Sequence, residues 1–277
     1  MVIETLVSLV LATAPVEQRE LLGHSLRGRP IHALELGDPQ GSRRVLVVGC
    51  IHGNECGGAA VTRLIANGPV PAGANIWIVH HLNPDGFRLN VRQNARGVDL
   101  NRNWPAGWRP IGRRWDLSYS GPKALSEPET RIARRFILRI QPALTIWFHQ
   151  PQTLVRSGAQ GEEAARLYAR LAGMRYRRLP VPPGAATRWQ HRRFPGTRAF
   201  VVELAPGPLS ARAAARHAAA IRSLTRSEFA ISAPASRISS SALSESPGWT
   251  STPRTASSIT VTSKPSRRAS STLDFTQ

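Results

Sequence analysis

The sequence predicts an α/β protein: a single-domain α/β/α sandwich on a mixed, mostly buried sheet. Three observations carry this. Short, continuously apolar runs recur along the chain, and amphipathic helical patterns come between them. The runs are apolar throughout rather than alternating, which suits a sheet covered on both faces. A chain of 277 residues that is 41% hydrophobic can bury a sizeable core, so wholesale disorder is excluded.

Taken in order, residues 1–20 are a signal-like or N-terminal helical segment. The apolar stretch Leu6–Ala14 ends in Ala12-Thr13-Ala14, like a secretory cleavage site, but Glu4 stands where a signal carries positive charge. With both readings open, a secreted or cell-envelope location is favoured over a cytoplasmic one. Strands are expected at Pro30–Leu36, Arg44–Cys50, Asn75–Leu82, Ala143–His149 and Arg198–Leu204. Helices are expected at Glu55–Ile65, Glu127–Ile140, Glu162–Leu171 and Ser210–Leu224. Ser126-Glu-Pro-Glu129 has capping-box spacing. The folded domain is placed at 21–230, and the Ser/Thr/Pro-rich stretch 231–277, without a periodic apolar face, reads as a disordered tail.

Composition removes several classes of function. No apolar run reaches the roughly 18–20 residues of a membrane-spanning helix, so no transmembrane segment is expected. The only two cysteines, Cys50 and Cys56, cannot build a disulfide framework or an all-cysteine zinc site. They bracket one turn, and a small disulfide and a pair of packed thiols are both open readings. The net charge is +20, from 37 Lys+Arg against 17 Asp+Glu, and only Lys123 and Lys264 are lysines. This charge predicts attraction to polyanions such as an anionic cell-wall polymer. Aromatic and basic residues are not interleaved as on a nucleic-acid platform, so no specific nucleic-acid partner is expected.

The chemistry gathers where strands end. Arg44–Cys50 runs into Ile51-His52-Gly53-Asn54-Glu55, and His52 and Glu55 can point at one spot beyond the strand, where open α/β sheets place ligands. Imidazole and carboxylate are ordinary zinc ligands. The pair alone is a weak signal, and a capping or packed histidine is the more ordinary explanation of it. Phe148-His149 ends another apolar run at the same sheet edge and offers a third ligand. Asn83-Pro84-Asp85-Gly86 and Gly97-Val98-Asp99-Leu100-Asn101-Arg102-Asn103-Trp104 follow other strands. Glu203 lies inside an apolar strand, which is expensive unless the carboxylate is ion-paired or serves as a general base. His80 and His81 at a strand end should point to opposite faces. His24, His32, His191 and His217 have no partners at metal spacing, and Arg212, Arg216 and His217 read as a solvated basic face.

Together these residues resemble the zinc carboxypeptidase family, best known from carboxypeptidase A, and within it the short bacterial murein peptide amidases. The likeness runs from about Leu22 to Pro208 and rests on ordered motifs: NPDG, RxN at Arg92-Gln-Asn94, GVDLNRNWP, SEPET and FH. It implies one Zn2+ per chain held by His52, Glu55 and His149, with Asp99 orienting a ligand histidine. It implies that Arg92 stabilises the oxyanion, that Asn101 and Arg102 grip a free carboxylate, and that Glu203 is the catalytic base. The implied activity is hydrolysis of an amide bond next to a free carboxylate in small peptides, with a muropeptide as the substrate. A deacylase of N-acyl amino acids on the same fold is an alternative, and a non-catalytic basic polyanion-binding protein is another from outside enzymology. The sequence departs from the family at three places: Pro180 stands where carboxypeptidase A has a tyrosine that closes over substrate, Gln150-Pro151 follows His149 where Asp or Ser is more usual, and Cys50 and Cys56 bracket the metal motif.

Overall fold

The computed structural model describes residues 17–231. The signal-like stretch Leu6–Ala14 and the residues from 232 onward lie outside the described residues.

One eight-stranded sheet organises the chain. Its strands are β1 (Glu17–His24), β2 (Pro30–Gly37), β3 (Arg43–Val48), β4 (Ala74–Val79), β5 (Leu144–His149), β6 (Leu154–Ser157), β7 (Tyr176–Arg178) and β8 (Arg198–Glu203). They lie in the order β1-β2-β4-β3-β5-β8-β6-β7. The central strands β4, β3, β5 and β8 are mutually parallel, whereas β2 on β4 and β6 on β8 are antiparallel, so the sheet is mixed as expected. Six helices cover it: α1 (Gly58–Ala66), α2 (Pro84–Leu89), α3 (Pro128–Ile140), α4 (Glu162–Ala172), α5 (Ala186–Arg193) and α6 (Ala211–Thr225).

The continuously apolar runs find their explanation in two separate cores. Val45 and Val47 of β3 face one of them, with Val61 and Ile65 of α1, Tyr168 of α4, and Ile221 and Leu224 of α6. Leu46 and Val48, one residue out of phase, face the other, with Phe136 and Ile137 of α3 and Trp189 of α5. Successive strand side chains point to opposite faces, so a strand between two helical layers must be apolar at every position. Among the described residues no helix is long and apolar enough to cross a membrane.

Several expectations need correction. Residues 17–20 are not helical; they open β1, which pairs antiparallel with β2. The first helix begins at Gly58, not Glu55, because His52–Gly57 is a separate turn in which Glu55 N–H donates to the His52 carbonyl at 3.0 Å. The capping box does not form. Ser126 Oγ donates to Glu127 Oε1 at 2.7 Å, and Glu129 accepts from Leu26 N–H at 3.0 Å and from Asn94 Nδ2 at 3.0 Å. Both glutamates are buried and drawn into cross-chain bonds. His80 and His81 lie beyond the end of β4, so strand alternation does not apply: His80 Nδ1 pairs with Thr62 Oγ1 at 2.7 Å and His81 stacks on Phe87. His217 is not on a solvated face; it is buried against the Tyr168 hydroxyl at 2.7 Å.

Candidate metal centre and catalytic cleft

Three parallel strands deliver the site. β3 ends before the His52–Glu55 turn, and β5 and β8 end in register at His149 and Glu203. The turn is held by glycine. A Cβ on Gly53 would lie 1.9 Å from the Gly86 backbone carbon, so the His52-Gly-Asn-Glu55 turn can rest directly on the Asn83-Pro-Asp-Gly86 turn only without a side chain there. Asn83 caps α2 by accepting from Gly86 N–H at 2.9 Å. Cys50 and Cys56 form a disulfide that spans the turn and encloses both His52 and Glu55.

His52 Nδ1 lies 2.8 Å from Glu55 Oε2 and 3.1 Å from His149 Nδ1, and His149 Nδ1 lies 3.1 Å from the same carboxylate oxygen. All three residues are buried. The second ring nitrogen of His52, Nε2, meets Asp99 Oδ1 at 2.8 Å. Burial alone would raise the Asp99 carboxyl, but His52, Arg92 and Arg102 hold it well below the usual carboxylate range. Asp99 is therefore an acceptor and Nε2 carries a proton, which leaves Nδ1 as the ring atom aimed at Glu55 and His149 and the one a metal would take. Burial opposes positive charge on His52, yet Asp99 outweighs it and raises the ring's pKa above its ordinary value.

Converging ligand atoms of this kind suit a cation. Zinc bonds of about 2.0–2.1 Å in a tetrahedral arrangement separate neighbouring donors by roughly 3.3 Å, close to the triangle found here. A nitrogen–nitrogen–carboxylate donor set is that of catalytic zinc sites, which keep a fourth position open. His52, Glu55 and His149 thus fit the metal.

A cavity of about 200 Å³ opens beside them, lined by Glu55, Arg92, Asn101, Arg102, His149 and Glu203 among others. Arg92 is fixed by three bonds: from Nη1 to Glu55 Oε1, from Nη2 to Asp99 Oδ2 at 3.0 Å, and from Nε to the Leu117 carbonyl at 2.9 Å. A guanidinium has five N–H donors, so two remain for a ligand. Asp99 caps the short helix Leu100–Arg102 by accepting from Asn101 N–H at 2.8 Å, and this turns Asn101 and Arg102 into the cleft. Asn101 Oδ1 accepts from Ala186 N–H at 2.9 Å. Arg102 donates from Nη1 to the Asn101 carbonyl at 2.8 Å. Glu203 is buried, and its Oε2 has no hydrogen-bond partner among the described residues.

The chain belongs to the zinc carboxypeptidase family. The sequence pattern described as zinc carboxypeptidase matches residues 16–158, just over half the chain. Murein peptide amidase A of Escherichia coli (strain K12) is 33% identical over 155 residues, covering 52% of this chain and 63% of that protein. Human carboxypeptidase A6 is 29% identical over 146 residues, 42% of this chain and 33% of its own length. The chain thus spans less than two thirds of the length of these relatives. Among solved structures, murein-tripeptide amidase MpaA from Escherichia coli O157 aligns at a TM-score of 0.63 and 28% identity, covering 78% of this chain and 94% of that one. Carboxypeptidase A from Helicoverpa armigera aligns at a TM-score of 0.66 and 19% identity, a likeness of fold alone. The family's metal is zinc, and His52, Glu55 and His149 are the group fit to hold it.

The structure thus brings all eight singled-out residues together: six line the cavity, and His52 and Asp99 bond to those that do. Two participants were missed. Gln150 clasps the site from behind: its Oε1 accepts from Gly57 N–H at 2.9 Å and its Nε2 donates to the Gly207 carbonyl at 2.8 Å. Arg156 lines the cavity. A charge inside the apolar run Leu154-Val155-Arg156 was the available signal, the same signal that singled out Glu203. At the position of the closing tyrosine, the Pro180 carbonyl accepts from Arg156 Nη2 at 3.2 Å, and Val181 and Pro182 wall the cleft. Tyr176 is turned away to Ser157 Oγ at 2.9 Å.

Proposed function

We propose that this protein hydrolyses an amide bond next to a free carboxylate in small peptides, and that cell-wall (murein) peptides are its substrates. The observation that carries the reading is Glu203: a buried carboxylate oxygen without a partner, in the cleft that the metal-binding triad borders. A buried polar atom left unpaired is costly, and such groups concentrate where function needs them.

When bound, zinc supplies Lewis acidity, polarising a carbonyl and making a water nucleophilic near neutral pH. The remaining roles fall to the chain. Asn101 and the free donors of Arg102 receive the terminal carboxylate, for which a guanidinium fork is well matched. That contact sets the scissile carbonyl against Arg92, whose two spare N–H groups receive the oxygen as it becomes negative. Glu203 accepts the proton of the attacking water at its unpartnered oxygen and returns it to the departing amine, leaving amine and carboxylate products. The names of the murein amidase relatives support the choice of substrate.

The test incubates zinc-loaded protein with a murein tripeptide ending in a free carboxylate and, separately, with N-acyl amino acids, and identifies products by mass spectrometry. Release of the terminal residue from the tripeptide, without acyl-amino-acid turnover, is the expected result. The reverse pattern would replace the peptidase reading with that of a deacylase, and turnover of neither would overturn both.

A further inference from the structure

Behind the proposed catalytic turn stands a second group of donor atoms that the hydrolytic chemistry does not use. Cys50 and Cys56 close the turn as a disulfide, and a ring nitrogen of His81 lies within 4.8 Å of both sulfurs. The fold brings them together because β3 and β4 are parallel neighbours, and Cys50 and His81 both lie just past their ends. Leu82 N–H donates to the Cys50 carbonyl at 2.8 Å and fixes the two segments side by side. The His81 ring is stacked on Phe87, and its Nδ1 is buried with no hydrogen-bond partner among the described residues. A buried nitrogen left unpaired calls for an explanation. Burial, then the neighbouring His80 and Arg63, hold the ring's pKa at about 4, so the imidazole is neutral at physiological pH. Cys50 is buried, but Cys56 and His81 are only half-buried, so a small ion can reach the group from their side.

We infer that Cys50, Cys56 and His81 form a second metal site, for zinc or another thiolate-seeking divalent cation, that opens when the disulfide is reduced. A dithiol supplies the two electrons and two protons: the sulfur–sulfur bond breaks, two thiols form, and the dithiol becomes a disulfide. The cation then displaces both thiol protons to solvent and is held by two thiolates and a neutral imidazole, with water in the fourth position. Tetrahedral zinc bonds of about 2.3 Å to sulfur and about 2.0–2.1 Å to nitrogen separate the sulfurs by roughly 3.8 Å, and sulfur from nitrogen by roughly 3.6 Å. The Cα atoms of the two cysteines are 4.7 Å apart, so the freed sulfurs can take up that spacing by side-chain rotation. The oxidised form offers no thiolate and one neutral nitrogen, which is too little for a metal. Disulfide and metal thus close the same ring around His52 and Glu55 by different bonds, and the inference stands independently of the hydrolytic reading.

Cobalt(II) is the probe, because its bonds to thiolate give a strong charge-transfer absorption in the near ultraviolet that a site of nitrogen and carboxylate ligands lacks. The full chain, its zinc exchanged for cobalt, is titrated before and after reduction with a tertiary phosphine. The phosphine becomes its oxide, and water supplies the oxygen and the two thiol protons. The oxidised chain should take up about one equivalent without the thiolate band. The reduced chain should take up about one more, with the band, and reoxidation should expel it. His81→Ala should weaken this second binding by about 100-fold or more, since residues that merely orient a metal ligand are already worth about 10- to 100-fold. Cys56→Ser should abolish the band. A reduced wild type without the band overturns the assignment, and so does unchanged affinity in His81→Ala. A band that appears only where circular dichroism shows the reduced chain to have unfolded overturns it as well.

Discussion

Two glutamates face the same cleft with opposite commitments. Glu55 is bonded to His52, His149 and Arg92, and although burial would raise its carboxyl, the two histidines hold it far below the usual range. Glu203 keeps a free oxygen. Glu55 is thus built to stay ionised as a ligand, whereas Glu203 has an acceptor position open to substrate-side chemistry. Glu203→Gln preserves size but cannot take up the proton, so it should retain zinc while turnover drops ~10²–10⁴-fold. Glu55→Gln should lose metal first, with activity following, and added zinc should restore part of both. Metal content and initial rates on the same preparations separate the two. Zinc lost from Glu203→Gln, or rates near wild type, would remove it from the role of base.

At the scale of elements, the cleft depends on backbones that touch. Gly184 adopts a φ of +68°, and a Cβ there would lie 2.1 Å from the Arg102 carbonyl. Its own backbone bonds twice to the chain just after that segment, from Gly184 N–H to the Ala106 carbonyl and from Trp104 N–H to the Gly184 carbonyl. Gly184→Ala should displace the Leu100–Arg102 turn and with it the carboxylate grip, raising KM about tenfold or more with zinc content unchanged. An unaltered KM would show that Arg102 is held by other means. The elements near this wall were also the least legible in the sequence. The central strands could be read because β3, β5 and β8 are apolar on both faces, and His52, His149 and Glu203 could be placed because each stands at the end of such a run. The three-residue β7 and the helix α5, Ala-Thr-Arg-Trp-Gln-His-Arg-Arg, carry too few apolar residues to announce themselves. β1 is an edge strand with polar positions, and it borrows its stability from β2. The Ser126–Glu129 spacing misled because both glutamates are claimed by Asn94, from a distant part of the chain.

Across the whole molecule, the two cores bury histidines that stay neutral. Burial holds His191 at about 4, and its Nε2 accepts from Ala199 N–H. Burial, and then the charge of Arg216, hold His217 at about 4 as well. Both values lie below the ~6.5 of an unfolded histidine, so below pH 6.5 the unfolded chain takes up protons that the native fold refuses. The contribution is complete above pH 6.5 and fades as the pH falls toward 4, at about 2 kcal/mol for each residue by pH 5. Melting the metal-free protein at pH 7.5 and at pH 5 should show a drop of several degrees; a flat Tm would refute it. Unfolding also gives the Cys50–Cys56 bridge a meaning beyond the native fold. When every strand has melted, the covalent ring still keeps His52 and Glu55 on one short tether, so the denatured chain retains two donors of a chelate. A metal stabilises a fold only by the margin between its affinities for the folded and unfolded forms. The ring narrows that margin, and it leaves the ion a foothold from which the site can reassemble.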